Sequence, residues 1–513
     1  MSNVRKLAPG QVADVTLVLE GTYPYVSGGV SSWVHQIIKG LPEIKFSLVF
    51  IGSAPDKYEK IRYALPPNVV HLEEHYLSET PKFERIVKER GDAEFYQRSD
   101  VLHAAFKGGD PYDIGIALEN VASMLLTEPA RHEHDFLFSE LSWESILAKY
   151  HDRAPDRSFL DYFWSIRSMH GPMFIAAKAA ARVPPSRVFH VISTGFAGFL
   201  AMLLAKARKK PLILTEHGIY TKERRIELLQ ANWVKDDENN PAGIGFFRQS
   251  WIRYFELLAK MTYAAANPIV ALYEGNRTRQ IADGADPSRT MVVPNGIDLE
   301  RFAPLRQQRE AKVPKVLGLV GRVVPIKDIK TFVRAMKIVS QAIPDVEGWI
   351  VGPEGEDPTY ARECKDLATS LGLDGIVKFL GFQKVEDILP KLGINVLTSI
   401  SEAQPLSILE GFAAGIPSVA SDVGCCAELI HGVGPEDEAL GSAGAIVPIA
   451  DPEATARACV ALLRDEKAWF QAQRAAVERV ETHYTQTQMI DRYRHLYSQA
   501  LAAAEARERA RRV

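Results

Sequence analysis

Short aliphatic runs, each followed by a polar or glycine-bearing turn and then a helical period, recur along two stretches of the chain, one beginning at Ala13 and one at Val316. Such runs fit strands buried on both faces, and the helical periods between them fit the crossovers of a parallel sheet. The expected architecture is therefore α/β, with two Rossmann-like doubly wound domains. A length of 513 residues accommodates both.

In the first alternation Ala13 to Leu19 reads as a strand, Glu20 to Val30 as a loop carrying Ser27-Gly28-Gly29, and Trp33, Ile37 and Ile38 as a helix face. Phe46 to Ile51 is the next strand. Residues from about 56 to 185 break the pattern, being charged, aromatic-rich and helical in period with few strand signals. That is too long for a plain loop, so a helical insertion is expected. Within it His132-Glu133-His134-Asp135 lacks the spacing of a helical metal pair and is expected to be solvated surface. Strands resume at Val188 to Ile192 and Leu212 to Leu214, with a helix at Phe196 to Ala207 between them. A helical block from Arg224 to Ala265 follows, and Ile269 to Leu272 and Met291 to Val293 close the domain.

Pro294-Asn295-Gly296-Ile297-Asp298 is a turn-rich joint. In the second alternation strands are expected at Val316 to Val320, Gly348 to Val351, Val377 to Leu380, Ile394 to Leu397, Ser418 to Ala420 and Ala445 to Val447. Thr485 to Val513 is one helical pattern ending in Arg507, Arg509, Arg511 and Arg512. The expected boundaries are 1–294, 295–484 and 485–513.

Three places combine chemistry with a strand's C-terminal edge, where open α/β sheets bind ligands. Gly321-Arg322-Val323-Val324-Pro325-Ile326-Lys327-Asp328 brings a guanidinium fork and an ammonium point charge into one strand-to-helix loop, a pairing suited to phosphate. Thr398 to Ala413 places Glu402 in a loop, Pro405 at the expected first helical position, and Glu410 about one and a half turns into the helix. Its helix start offers N–H groups to an anion, and its carboxylates accept from hydroxyls. The bland reading of the two glutamates is a cap and a surface acid, but Glu410 lies among Leu409, Gly411 and Phe412. His217 follows a strand directly, and the Ser27-Gly28-Gly29 loop precedes a helix; each is weak alone, a structural histidine or a tight turn explaining it equally well.

A net charge of −3 gives no reason to expect nucleic acid. Four cysteines without metal spacing fit a reduced, cytoplasmic setting. Met1 to Gly10 has no signal-peptide core, and Val191 to Ala207, the nearest approach to an apolar span, is interrupted by Ser193, Thr194, two glycines and Lys206.

Together, Glu402-x7-Glu410, the Arg322 and Lys327 pair, the Pro-Asn-Gly-Ile-Asp joint, Gly28-Gly29 and His217 resemble family 4 retaining glycosyltransferases of the GT-B fold, two Rossmann-like domains facing a cleft. Thr22-Tyr23-Pro24-Tyr25-Val26-Ser27-Gly28-Gly29-Val30 and Leu214-Thr215-Glu216-His217-Gly218 look more narrowly like the glycosyltransferases of bacterial Pel exopolysaccharide synthesis. The resemblance implies that Arg322 and Lys327 neutralise a donor diphosphate, Glu410 accepts from ribose hydroxyls, and Glu402 from the donor sugar. It implies further that amides near Leu406 and Ser407 meet phosphate, Gly28 and Gly29 approach the diphosphate, and His217 contacts the sugar. The donor would be a UDP-sugar used without metal or other cofactor, the acceptor a polysaccharide, and the partners inner-membrane synthase proteins. The last helix would cross back to the first domain. Ala403-Gln404-Pro405 departs from many relatives and leaves sugar selectivity open. Two other readings remain: a UDP-sugar epimerase, and a non-catalytic nucleotide-sugar-binding scaffold. The tail arginines and Lys206 to Lys210 suit either an anionic membrane or ordinary helix ends.

Overall fold

The structure is a computed structural model. It describes residues 6–8, 10–58, 60–78, 89–108, 111–231, 233–234 and 244–512. Two compact units make up the chain: Met1–Val292 with Tyr493–Val513, and Val293–Arg492.

In the first unit seven strands, β1 Ala13–Glu20, β2 Phe46–Gly52, β3 Val69–Tyr76, β4 Ser186–Val191, β5 Leu212–Glu216, β6 Ile269–Ala271 and β7 Thr290–Val292, form a parallel sheet ordered 3-2-1-4-5-6-7. Val15 lies opposite Phe46 of β2 on one side and Val188 of β4 on the other, so the strand order reverses between β1 and β4. Ligand crevices of doubly wound sheets open at that reversal, beyond the strands' C-terminal ends.

Two expectations for residues 56–185 are corrected. The stretch contains β3, whose Val-Val-His-Leu-Glu-Glu-His-Tyr carries too much charge for a strand buried on both faces. It is tolerated because β3 is the sheet's edge, and the Glu73 carboxylate lies between His71 and His75 at 3.4 and 3.2 Å. The helical part is Ala93–Gly108, Pro111–Thr127, Pro129–Phe138, Glu140–Arg153 and Phe159–Arg182. Nor is the His132 to Asp135 cluster solvated: His132, Glu133 and Asp135 are buried. Lys178 donates to Glu133 at 2.7 Å, the Asp92 amide donates to Asp135 at 2.6 Å, and His132 stacks on Phe95 at 4.8 Å. The carboxylates of Glu133 and Asp135 are buried here because each gains a partner from elsewhere in the insertion.

The helix Phe196–Arg208 is buried from Phe196 through Ala205 against the sheet. Among the described residues no helix is long and apolar enough to cross a membrane. The last helix, Gln486–Arg512, buries Tyr493 and Tyr497 in the first unit. Tyr497 Oη lies 2.7 Å from His190 Nδ1, and Tyr493 Oη 3.0 Å from Thr215 Oγ1. Its acids pair with basic residues of the same unit, Glu505 with Arg187 and Glu508 with Lys210, while Lys206 pairs with Glu119 at 2.7 Å. Part of the charge read as a basic patch is thereby neutralised.

The second unit holds β8 Val316–Val320, β9 Glu347–Val351, β10 Val377–Gly381, β11 Ile394–Leu397, β12 Ser418–Ser421 and β13 Gly444–Val447, all parallel and ordered 10-9-8-11-12-13. The order reverses between β8 and β11, where Leu317 faces Ile394. The amphipathic helix Ile329–Ala342 buries Ile329, Phe332, Val333, Met336 and Val339 against this sheet. Near its far edge Arg479, fully buried, donates from Nε to Asp437 Oδ1 at 2.6 Å and from its Nη groups to the carbonyls of Ile430, Asp437 and Gly441 at 2.8, 2.9 and 2.9 Å. All four cysteines are buried free thiols.

Candidate functional site

The loops that leave β8 and β11 flank the reversal point of the second sheet, and these are the loops carrying Arg322, Lys327 and Glu402. Their approach is built by backbone and side-chain bonds. Ile400 N donates to Ile326 O at 2.9 Å, and Thr398 Oγ1 to the carbonyls of Lys327 and Asp328, each at 3.0 Å. Asp328, with φ 43°, caps the helix Ile329–Ala342 through its carboxylate on Thr331 N. Lys327 Nζ meets Glu402 Oε1 at 2.5 Å, and Ser399 Oγ donates to the same oxygen at 2.6 Å. Arg322 belongs to the same loop but turns to Glu356, with Nη1 at 2.6 Å from both carboxylate oxygens. The two cations thus have separate partners. The Arg322–Glu356 pair is half-exposed on both sides, so it adds at most about 1 kcal/mol and is readily exchanged for another anion.

The helix after Glu402 runs Leu406–Ala413, one residue later than expected, because Pro405 takes an extended ψ of 113° and stands at the N-cap. The amides of Leu406 and Ser407 are in the first turn, where no carbonyl one turn earlier is available to them. Glu410 is half-buried; burial pushes its carboxyl up to about 7, with Arg301 opposing the shift and Glu386 adding to it. Arg301 is held by Glu386 at 2.6 Å.

Three supports went unnoticed in the sequence. The Gln404 side chain accepts from Asn295 N at 2.7 Å, joining the Pro-Asn-Gly-Ile-Asp turn to the Glu402 loop. Asn295 and Gln404 belong to separate motifs, and nothing in their spacing announces the bond. Gly424, with φ +56°, lies where a Cβ would come within 2.4 Å of the Glu402 and Ala403 carbonyls. Asn395 Nδ2 donates to Ser407 O at 3.0 Å, which ties the helix start to β11.

In the first unit a pocket of about 500 Å³ opens beyond the C-terminal ends of β1, β2, β4 and β5, lined among others by Glu20, Thr22, Ser193, His217, Glu223 and Arg224. Thr22 Oγ1, Ser193 Oγ, His217 Nε2 and Arg224 Nε are all buried without a hydrogen-bond partner among the described residues. Orphaned buried polar atoms are rare, and four on one pocket mark a surface built for a ligand rich in hydroxyls or charge. Burial pushes the His217 imidazole down to about 3, so it is neutral, and its ring packs edge-on against Trp33 at 4.6 Å. Glu216, the residue before it, is fully buried at the end of β5. Burial pushes its carboxyl up to about 7 against the hydrogen bonds from Tyr263 and Gln280, at 2.7 and 3.0 Å. That anchoring fixes where His217 emerges. Gly28 and Gly29 are exposed at the start of the helix Gly29–Gly40, and a Cβ at Gly28 would meet nothing within 4 Å.

Comparison with known proteins assigns both units. Residues 13–288 match the family described as "Domain of unknown function (DUF3492)". The chain belongs to the DUF3492 family. Residues 314–465 of this DUF3492 chain match "Glycosyl transferases group 1". It is similar to a D-inositol 3-phosphate glycosyltransferase of Streptomyces scabiei, 27% identical over 46% of this chain and 52% of that protein. It is also similar to an exopolysaccharide phosphotransferase of Streptomyces coelicolor, 33% identical over 39% of this chain and 20% of that protein. The DUF3492 chain thus spans about half or less of these relatives. Among solved structures, HepE of Anabaena in complex with UDP matches at a TM-score of 0.57 and 15% identity, covering 95% of this chain and all of that one. The fold is GT-B.

Proposed function

We propose that this chain is a retaining glycosyltransferase that passes a hexose or N-acetylhexosamine from a UDP-sugar to a growing extracellular polysaccharide, and that PelF of bacterial Pel exopolysaccharide synthesis is the protein it resembles in function. The observation that carries the reading is the second unit's reversal point, where two loops bring Lys327 to Glu402 just before the start of the Leu406–Ala413 helix that carries Glu410. Group 1 glycosyltransferase similarity over residues 314–465 supports it, as does the UDP complex of the structural neighbour HepE. The exopolysaccharide relative supports the acceptor class.

In this reading Arg322 and Lys327 stabilise the negative charge that grows on the diphosphate as the glycosidic bond breaks. They supply what a metal ion would otherwise supply, so the reaction needs no metal. Amides of Leu406 and Ser407 receive phosphate, Glu410 the ribose hydroxyls and Glu402 the sugar hydroxyls. Gly28 and Gly29 give backbone access to the diphosphate, and neutral His217 contributes Nε2 to a sugar hydroxyl. No carboxylate is assigned as nucleophile. The leaving phosphate guides the acceptor to the same face, and inner-membrane synthase proteins receive the product chain from the cytoplasmic side. A thermal-shift panel of UDP, GDP, ADP and CDP tests the donor. UDP alone should stabilise the protein, by about 2.7 kcal/mol at a hundredfold its Kd, with EDTA making no difference. Equal shifts from all four nucleotides would overturn the UDP assignment.

A further inference from the structure

Between the helical insertion and the helix Phe246–Ala265 of the first unit lies a second pocket, about 490 Å³, that the proposed reaction does not use. It opens among the helices Ala93–Gly108, Pro111–Thr127, Phe159–Arg182 and Phe246–Ala265. Leu102, Met124, Leu125, Met169, Met173 and Met261 give it an apolar floor. Four of the chain's nine methionines are in that set, and unbranched thioethers adapt to irregular apolar chains better than branched side chains do. Pockets of this volume with an apolar lining and a few polar groups are the ordinary form of small-molecule sites.

The polar groups are not evenly placed. Arg153, Arg253 and Lys260 line the pocket and are exposed, with one acid, Glu256, among them. Arg253 and Lys260 are seven residues apart on one helix, which sets them on the same face about 10 Å apart along its axis. Arg153 pairs with Asp152 at 3.7 Å, whereas Arg253 and Lys260 have no ion-pair partner among the described residues. Deeper in, His103 and His170 bond through Nδ1 to the carbonyls of Ser99 and Ile166, at 2.6 and 2.8 Å. Burial pushes the His170 imidazole down to about 4, so the inner wall adds no charge. The result is an apolar, uncharged interior beneath a rim with net positive charge.

We infer that this pocket binds a single-chain anionic lipid, its hydrocarbon chain among the methionines and its acidic head at Arg253 and Lys260. The inference is independent of the donor chemistry above. The charge at the rim selects the head, and the apolar floor selects the chain. Palmitate and hexadecyl phosphate share this chemistry, and comparing them tells a carboxylate head from a phosphate.

The test is equilibrium binding to the full chain of four sixteen-carbon probes below their micelle concentrations: palmitate, hexadecyl phosphate, hexadecanol and hexadecyltrimethylammonium. At least one anionic probe should bind on the order of tenfold tighter than the alcohol, and the cation weakest. R253E with K260E, both on exposed positions, should abolish that preference without lowering the melting temperature. M173W, which fills the floor, should abolish binding of every probe. Equal binding of the alcohol and both anions, no binding of any probe, or anion preference surviving R253E/K260E would each overturn the proposal. An unchanged melting temperature and far-ultraviolet circular dichroism of each variant serve as the folding control.

Discussion

Glu410 illustrates what burial does to one group in the candidate site. Its folded-state pKa, about 7, stands above its ordinary value of 4.5 because burial disfavours the charged form. Below about pH 4.5 both the folded and unfolded chains hold the proton, and the group costs nothing. As pH rises from 4.5 to 7 the unfolded chain ionises first, so stability falls across that window. Glu410→Gln should therefore flatten the decline in urea midpoint between pH 4.5 and 7.5 relative to the wild type. Glu216, raised for the same reason, keeps its own slope in both proteins and cancels in the comparison. If Glu410 accepts from ribose hydroxyls, UDP affinity should also rise as pH passes 7, and the Gln variant should lose that rise. A wild type and variant with parallel stability profiles would place Glu410 in ordinary solvent contact.

Among the elements, the loops matter more than the strands. Gly424 leaves no room for a Cβ beside the carbonyls of Glu402 and Ala403, and Cys425 N donates to Ala403 O at 2.9 Å. Gly424→Ala must move the Glu402 loop, and its positive φ adds strain for a side chain. Turnover should fall at least about tenfold, since misplacement by about 1 Å is costly to positioned chemistry; unchanged turnover would show the loop to be tolerant. Farther away, Arg479→Ala leaves Asp437 buried without its guanidinium and should destabilise the second unit by about 3–5 kcal/mol in chemical denaturation. These contacts also mark where sequence reading stopped. Ala13–Glu20 and Ile394–Leu397 were legible because buried parallel strands write continuous apolar runs. β3 was not, since an edge strand carries charge, and neither was burial at His132 to Asp135, whose partners lie up to 45 residues away. The Glu402 loop was legible as a motif; Thr398, Gln404 and Gly424, which hold it, act through backbone carbonyls and amides that leave no residue pattern.

At the scale of the whole molecule, each unit repeats one principle: a parallel sheet whose order reverses, with polar groups gathered at the reversal. The first unit supplies hydroxyls, an imidazole nitrogen and the Arg224 Nε, all without partners among the described residues; the second supplies cations, carboxylates and a helix start. The C-terminal helix adds Tyr493 and Tyr497 to the first unit's core, so that part of the helix belongs to the unit's packing. The central claim, that cations of the second unit stabilise a leaving nucleoside diphosphate, is tested most directly by sugar transfer and UDP release from UDP-sugars in Arg322→Ala/Lys327→Ala. Arg322 is exposed but Lys327 pairs with the mostly buried Glu402, so melting temperature is read alongside turnover to show that the double variant folds. Losing one such charge costs about 2.7–4 kcal/mol, so turnover should drop by at least about 10²–10³-fold. A double variant that folds and turns over UDP-sugar at the wild-type rate would contradict the account.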